Sequence, residues 1–465
     1  MTHTPTPVAV PPAPDPHRPH QRQRAWAEVP GRLRTAGVTE PGRLRIIGSL
    51  LALLLVAFGT VTAWQVADRS AAADDVVNRS EPLSAQAADI YRSLADADTT
   101  AAGGFLAGGL EPRAVRQRYE NDIALASRNI ADAAAKTSGS DEARAEIELL
   151  NRQLPVYTGL VETARANNKQ GLPLGGAYLR YANGQMSNTI LPAAKKLWDL
   201  ETARLNDDYR RAKALPWAAW GLGVLALGGL VWAQRRSYHR TNRVFNQGLL
   251  AGSAATAVVL LWLVAGHSVA RLQLDTSYNQ GAKSLSLLNK ARIESLQSRG
   301  DENLTLVARG AGAEYDNEFR SGMQSLAGKN ADGRTGLLAQ ALALANDAKG
   351  RDSIKTAMKD AQAWWALNGK ARASDDSGNY QDAVAQTIGG DLKSGKQAKE
   401  YTGICFDGVD ASIEAAVAHE QQEFQHAANA GRGALTGLGA GAALLAVLGA
   451  TGVVLGIGRR LSEYR

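Results

Sequence analysis

Residues 234–247 read QRRSYHRTNRVFNQ: four arginines (Arg235, Arg236, Arg240 and Arg243) and no acid, between two apolar runs at 215–233 and 248–266. Lys and Arg flanking a membrane span are retained on the cytoplasmic side, so this short basic connector predicts a cytoplasmic turn between an inward and an outward span. Two further apolar runs, 46–64 and 434–457, complete a set of four. Segments 65–214 and 267–433 are then both extracytoplasmic, and residues 1–45 and 458–465 are cytoplasmic tails. The expectation is an all-α, multi-pass plasma-membrane protein with both termini inside and a minimal interior.

The charge of +7 follows this division. The three inside segments hold fourteen Arg, no Lys and four acids, leaving the remainder slightly acidic. The basic balance therefore reports topology, and nucleic-acid binding is not read from it. Residues 1–45 open TPTPVAVPPAPDPHRPH, too polar and Pro-rich to bury a core, and are expected to be disordered. Cys405 is the single cysteine, which excludes an internal disulfide and suits a small apolar residue on a packed helix. No ionisable residue interrupts the core of any span, which argues against a transporter.

Between the spans the pattern is helical. Helices are predicted over 67–108, 113–136, 142–168 and 177–213, separated by GGFLAGGLEP, TSGSDE and NNKQGLPLGG. Met186, Ile190 and Leu197 form one helical stripe, and Pro155 and Pro192 are expected to kink their helices. The second segment follows the same plan. Leu285, Leu288, Leu296 and Leu304 share a face, and turns are expected at 309–314, 326–333, 348–352 and 374–379.

The two segments read as copies, each forming a four-helix bundle. Tyr119-Glu120-Asn121-Asp122-Ile123 matches Tyr315-Asp316-Asn317-Glu318-Phe319, and ARANNKQG (164–171) matches ARASDDSG (371–378). The offset grows from 196 to 207, so the second copy carries extra helix around 326–348. Tyr119 with Ile123 and Tyr315 with Phe319 are i,i+4 core pairs, leaving Asn121, Asp122, Asn317 and Glu318 to solvent. Gly171 and Gly378 are expected to end helices in the left-handed conformation. Asn167, Asn168, Asp375 and Asp376 would then stand at distal tips as candidate docking residues, with ordinary polar tips as the competing reading. Arg235, Arg236, Arg240 and Arg243 are the candidate contacts for a cytoplasmic partner or lipid headgroups.

No phosphate-binding loop, nucleophile elbow, zinc-protease helix or CxxC stands in a credible context, so no enzyme, metal or cofactor is expected. His267, His419 and His426 read as scattered surface histidines, and the last two are too far apart for one metal without a third ligand.

Four spans, an Arg-only inner connector and the paired ARANNKQG and ARASDDSG hairpins together resemble the actinobacterial GlnX-type membrane component. The resemblance implies a coupler between a glutamine-type solute-binding lipoprotein outside and a Ser/Thr kinase, protein kinase G, inside, relaying amino-acid availability. The residues themselves leave three other readings open: a direct small-molecule sensor, a non-signalling envelope scaffold and, least of all, a transporter. They leave a homodimer open as well.

Overall fold

Turn chemistry sets where each helix stops. In the computed structural model α4 (Asp141–Lys169) starts behind Ser140, whose side chain accepts from the Ala143 N–H at 3.2 Å. It ends with Gly171 at φ +70°, where Leu172 N–H donates to Asn167 O and Gly171 N–H to Asn168 O, both at 2.9 Å. Its counterpart α12 (Ala348–Asp376) ends identically: Gly378 lies at φ +86°, and Asn379 and Gly378 N–H reach Ser374 O at 2.8 Å and Asp375 O at 2.9 Å. Only a residue without Cβ takes this conformation cheaply, which is why the repeat keeps glycine there.

The structure describes residues 40–108, 111–136, 140–241, 246–391, 396–397 and 400–462. Of the tail expected to be disordered, residues 1–39 lie outside that set, whereas residues 40–45 are not disordered but open α1. The other helices are α1 (Glu40–Asp75), α2 (Glu81–Leu106), α3 (Arg113–Lys136), α5 (Leu174–Gln185), α6 (Leu191–Ala212), α7 (Trp217–Thr241), α8 (Gln247–Thr276), α9 (Lys283–Val307), α10 (Ala313–Ala327), α11 (Leu337–Leu344), α13 (Tyr380–Ile388), α14 (Thr402–Leu435) and α15 (Leu438–Ser462). The exception to helix among the described residues is a two-residue antiparallel ladder, Gly390–Asp391 with Lys396–Gln397. The protein is all-α, with four helices long and apolar enough to cross a membrane.

Contacts divide the chain into two units. The first, residues 1–63, 217–261 and 440–465, packs Leu51, Leu55, Leu230, Leu249, Val453 and Ile457 inward. Leu53, Leu225, Leu261, Leu448 and Leu455 face outward and exposed, the inverse of a water-soluble surface and suited to lipid. The start of α8 meets α15 closely: a Cβ on Gly248 would lie 2.7 Å from Gly456 Cα. Asn246 caps α8 through the Gly248 N–H at 3.1 Å and donates to Gly456 O at 3.1 Å.

The second unit, residues 64–216 and 262–439, holds both copies. They were expected as separate bundles, yet they share one core. Ile90, Leu94, Ile130, Tyr157 and Met186 of the first copy and Leu296, Leu304, Phe319, Trp364 and Phe406 of the second belong to one buried cluster. The seam is α2 against α9. Thr99 Oγ donates to Leu296 O at 2.6 Å, Asn303 Nδ2 to Thr99 O at 3.4 Å, and Gly300 and Gly103 make room for Thr99 and Asn303. Partners about 200 residues apart all along the contact mean that the two helices run parallel, level with one another.

Three short π segments are the main features that the periodicity concealed. Val76–Ser80 lies between α1 and α2, and Ser277–Ala282 between α8 and α9, 201 residues on. Both copies therefore widen the helix at the same place. The third, Met186–Ile190, falls just before Pro192, which has no N–H to give, so the backbone register changes where a kink was expected. Pro155 sits inside α4 without ending it. The turn expected at 348–352 lies earlier, because Asp347 caps α12 through the Gly350 N–H at 2.8 Å and places Gly350 in the first turn. The extra segment of the second copy is the eight-residue α11. The end of α13 at Gly389, which lies at φ +92°, is not among the turns expected from the sequence.

Candidate functional site

The seam between the copies encloses a cleft of about 280 Å³. Asp98 and Thr99 of α2, with Asn183, Ser187 and Leu191, supply one wall; Glu294, Gln297, Ser298 and Asp301 of α9, with Glu318, Ser321 and Gly322 of α10, supply the other. Four carboxylates and no Lys or Arg line it.

Asp98 is buried and accepts from Tyr157 Oη at 3.0 Å and Asn183 Nδ2 at 2.7 Å. Burial raises its pKa to about 6 even though both hydrogen bonds favour the charged form. Asp301 is pushed up to about 8, by burial first and then by the negative charge of Glu318, Asp98 and Glu294. Burial also raises Glu294. Ser298 is 1 % exposed, and its Oγ has no hydrogen-bond partner. It packs against Gly322, where a Cβ would collide with the Ser298 Oγ.

The copies differ at this depth. The π segments start at 76 and 277 and the helices end at 106 and 307, so residues 201 apart correspond along α2 and α9. Asp98 therefore corresponds to Arg299, and Ala101 to Glu302. The second copy neutralises itself. Glu302 pairs with Arg299 and accepts from Trp364 Nε1 at 3.0 Å and Asn368 Nδ2 at 2.9 Å, while Arg299 also donates to Thr402 Oγ1 at 2.8 Å and Thr387 O at 3.0 Å. At the corresponding place the first copy has the aromatic donor, Tyr157, and among the described residues no Lys or Arg hydrogen-bonds to Asp98; buried Arg165 of α4 pairs with Glu111 and Glu162 instead.

A second polar cluster ties the copies together. Arg118 Nη2 lies 3.0 Å from Asp96 and 3.6 Å from Asp410, and Arg292 pairs with Asp410 at 2.7 Å and Glu414 at 2.9 Å. Asp122, expected in solvent, is buried beside this group, and burial and the neighbouring Asp96 hold its pKa well above the carboxylate range. Helical spacing from Tyr119 gave the wrong face for it because α3 is flanked on more than one side.

The tip residues prove to be held by partners within the fold, Asn168 by the end of α2 and the other three by their own helices. Asn167 Nδ2 donates to Thr163 O and Asn168 Nδ2 to Phe105 O, both at 2.8 Å and both half-buried. Asp375 accepts from Arg372 at 2.6 Å and is largely covered; Asp376, also held by Arg372 at 2.9 Å, is the one well exposed. Arg235 is exposed, while Arg236 lies 5.5 Å from the Trp232 ring centroid. The side chain of Arg240 and all of Arg243 lie outside the described residues.

His267 is buried, with Nε2 2.9 Å from Ala214 O, and is not the surface histidine expected. His419 is half-buried and meets Asp347 at 2.5 Å and Glu423 at 3.9 Å, a trio that could hold a metal. Asp347 is already engaged in capping α12. Cys405 is half-buried against the shared core, which raises its thiol pKa.

A multi-pass helical membrane protein with an acid-lined cleft between two related bundles has the build of a sensor. Residues 72–210, the first copy from the end of α1 through α6, match the family model described as actinobacterial sensor domain. No curated protein and no solved structure matches the chain.

Proposed function

We propose that the protein is a transmembrane sensor that binds a small solute outside the cytoplasm, in the seam between its copies, and passes the change inward along α2 and α9. The observation that carries this reading is the cleft itself. It is polar, partly enclosed and built on the two helices that continue, through π segments, from apolar helices α1 and α8. A solute that draws the walls together alters the seam that both continuous helices share, and a ligand shifts such an equilibrium by its differential affinity for the two arrangements. The sensor-domain match over 72–210 supports the sensing role.

The output belongs to a cytoplasmic partner. A Ser/Thr kinase, the class implied by the GlnX resemblance, is the one to test against Arg235 and Arg236. Capture of a solute-binding lipoprotein at the tips is the alternative input. It has less support, because three of its four candidate residues are half-buried and all four side chains already have partners within the fold.

The test is Ser321→Cys in a Cys405→Ser background, treated in intact cells with a membrane-impermeant maleimide. Labelling comparable to that of permeabilised cells is expected. Labelling only after permeabilisation would place the cleft in the cytosol and end the proposal.

A further inference from the structure

We propose that the seam cleft takes a flexible organic cation with two or more protonated amino groups, a linear polyamine in class, and that one ammonium sits at Asp98 as the counter-charge this copy lacks. The inference rests on the sensor reading and names its ligand class.

Three observations lead there. The first is the mismatch between the copies: Glu302 has Arg299 beside it, whereas Asp98 has only the neutral donors of Tyr157 and Asn183. A buried carboxylate without a cation is costly, and a bound ammonium removes that cost. The second is the lining. Asp98, Glu294, Asp301 and Glu318 line the cleft, Asp301 sharing a side-chain hydrogen bond with Glu318, and no Lys or Arg is present among its lining residues to receive the carboxylate of a free amino acid. The third is Ser298, a buried hydroxyl with an unpartnered Oγ at the wall, free to accept from an N–H donor.

A metal ion fits less well. Calcium needs six to eight oxygens converging at about 2.3–2.6 Å. Among the described residues the one set of three acidic or His ligands within 4.8 Å of one another is Asp347, His419 and Glu423, so the cleft carboxylates do not converge. A volume of about 280 Å³ also exceeds what one ion fills, and Ala95 and Leu191 offer apolar wall for methylene groups.

The charge state adds a signature. Asp98 and Asp301 titrate near neutrality; Glu294 and Glu318 face them from α9 and α10, and the other wall presents the neutral Asn183 and Ser187. Tyr157 of α4 and Tyr119 of α3 lie within electrostatic reach of Asp98 and Tyr315 of α10 within reach of Asp301, and Arg165 of α4 acts on Tyr157 and Tyr119. Seating ammonium groups requires ionised carboxylates, so binding releases protons at pH 7 and tightens from pH 6 to 8.

The experiment is calorimetric titration of the full chain in nanodiscs with spermidine, putrescine, glutamine, calcium and magnesium. Saturable spermidine binding with proton release is expected. Asp98→Asn should weaken it at least tenfold, and Glu318→Gln, at an exposed residue whose change leaves the core intact, several-fold; Asp376→Asn should leave it unchanged. Calcium or magnesium competing with spermidine under the same Asp98 dependence would overturn the amine in favour of a metal. Glutamine binding that depends on Asp98, with spermidine silent, would overturn the amine class and leave the sensor reading standing. Equal spermidine binding by wild type and both cleft variants would also overturn the proposal.

Discussion

Replacing Asp301 by Asn should change how stability depends on pH, and the size of the change follows from the cleft. Asp301 is raised to about 8 in the folded protein from an ordinary 3.8, so between pH 5 and 7 it is protonated when folded and ionised when unfolded. A group with a raised folded pKa contributes stability below its unfolded pKa, and that contribution is lost as pH rises through the folded value. Each such proton costs about 1.4 kcal/mol per pH unit, or about 2.7 kcal/mol from pH 5 to 7. This slope depends only on the folded pKa lying above the window. Asp98, Asp122 and Glu420 are shifted the same way, so the wild type should lose stability steeply as pH rises. Asp301→Asn, with no proton to lose, should be less steep by about one proton's worth and more stable than wild type at pH 8. Denaturant or thermal unfolding of the full chain in nanodiscs at pH 5, 6, 7 and 8 measures both slopes. A wild type that gains stability over that range, or a variant with an unchanged slope, would show that the acids of the seam are solvated and defeat the reasoning.

Four other outcomes are expected. Glu302→Ala strands Arg299 in the second copy's core and should cost about 3–5 kcal/mol in chemical denaturation; a loss below about 1 kcal/mol would mean that the pair is hydrated. Arg118→Ala removes the partner of buried Asp96 and a tie to Asp407 and Asp410, and should cost about 1–3 kcal/mol, less than a wholly buried pair because Arg118 is partly exposed. Gly248→Leu should lower the melting temperature of detergent-solubilised protein by forcing α8 from α15, whereas Gly458→Leu, with open space around it, should not; equal effects would remove close packing as the cause. If the output partner is the Ser/Thr kinase proposed above, reversing Arg235 and Arg236 to Glu should abolish its co-purification with insertion intact, and undiminished co-purification would take the connector out of the output path.

The helices were legible because their signals are local. Apolar runs of span length and Gly at 171 and 378 each act within a few residues, and the stripes Met186–Ile190–Leu197 and Leu285–Leu288–Leu296–Leu304 are buried as spaced. The duplicated plan was legible for the same reason. The seam was not, because it is built from contacts about 200 residues apart: Thr99 with Leu296, Arg118 with Asp410, Asn303 with Thr99. Asp98 lies in TSG-free helix, DADTT, where an acid looks solvated until α4 and α5 close over it with Tyr157 and Asn183. Comparing α2 with α9 at an offset of 201 would have exposed the Asp98–Arg299 mismatch, but the repeat was anchored on YENDI and ARANNKQG, whose offsets differ. Each π segment adds one residue to a single turn and so offsets the apolar phase at one point only, a shift that spacing over a few residues does not single out.

The account stands most directly on whether the seam moves when the cleft is filled. Nitroxide labels at Asn121→Cys on α3 and Asn317→Cys on α10, exposed positions that correspond in the repeat, report the separation of the copies in the Cys405→Ser chain. In nanodiscs at pH 8, saturating spermidine should shift and narrow the pulsed-EPR distance distribution, and Asp98→Asn should abolish the change. Superimposable distributions with the ligand demonstrably bound would contradict a sensor that works through this seam.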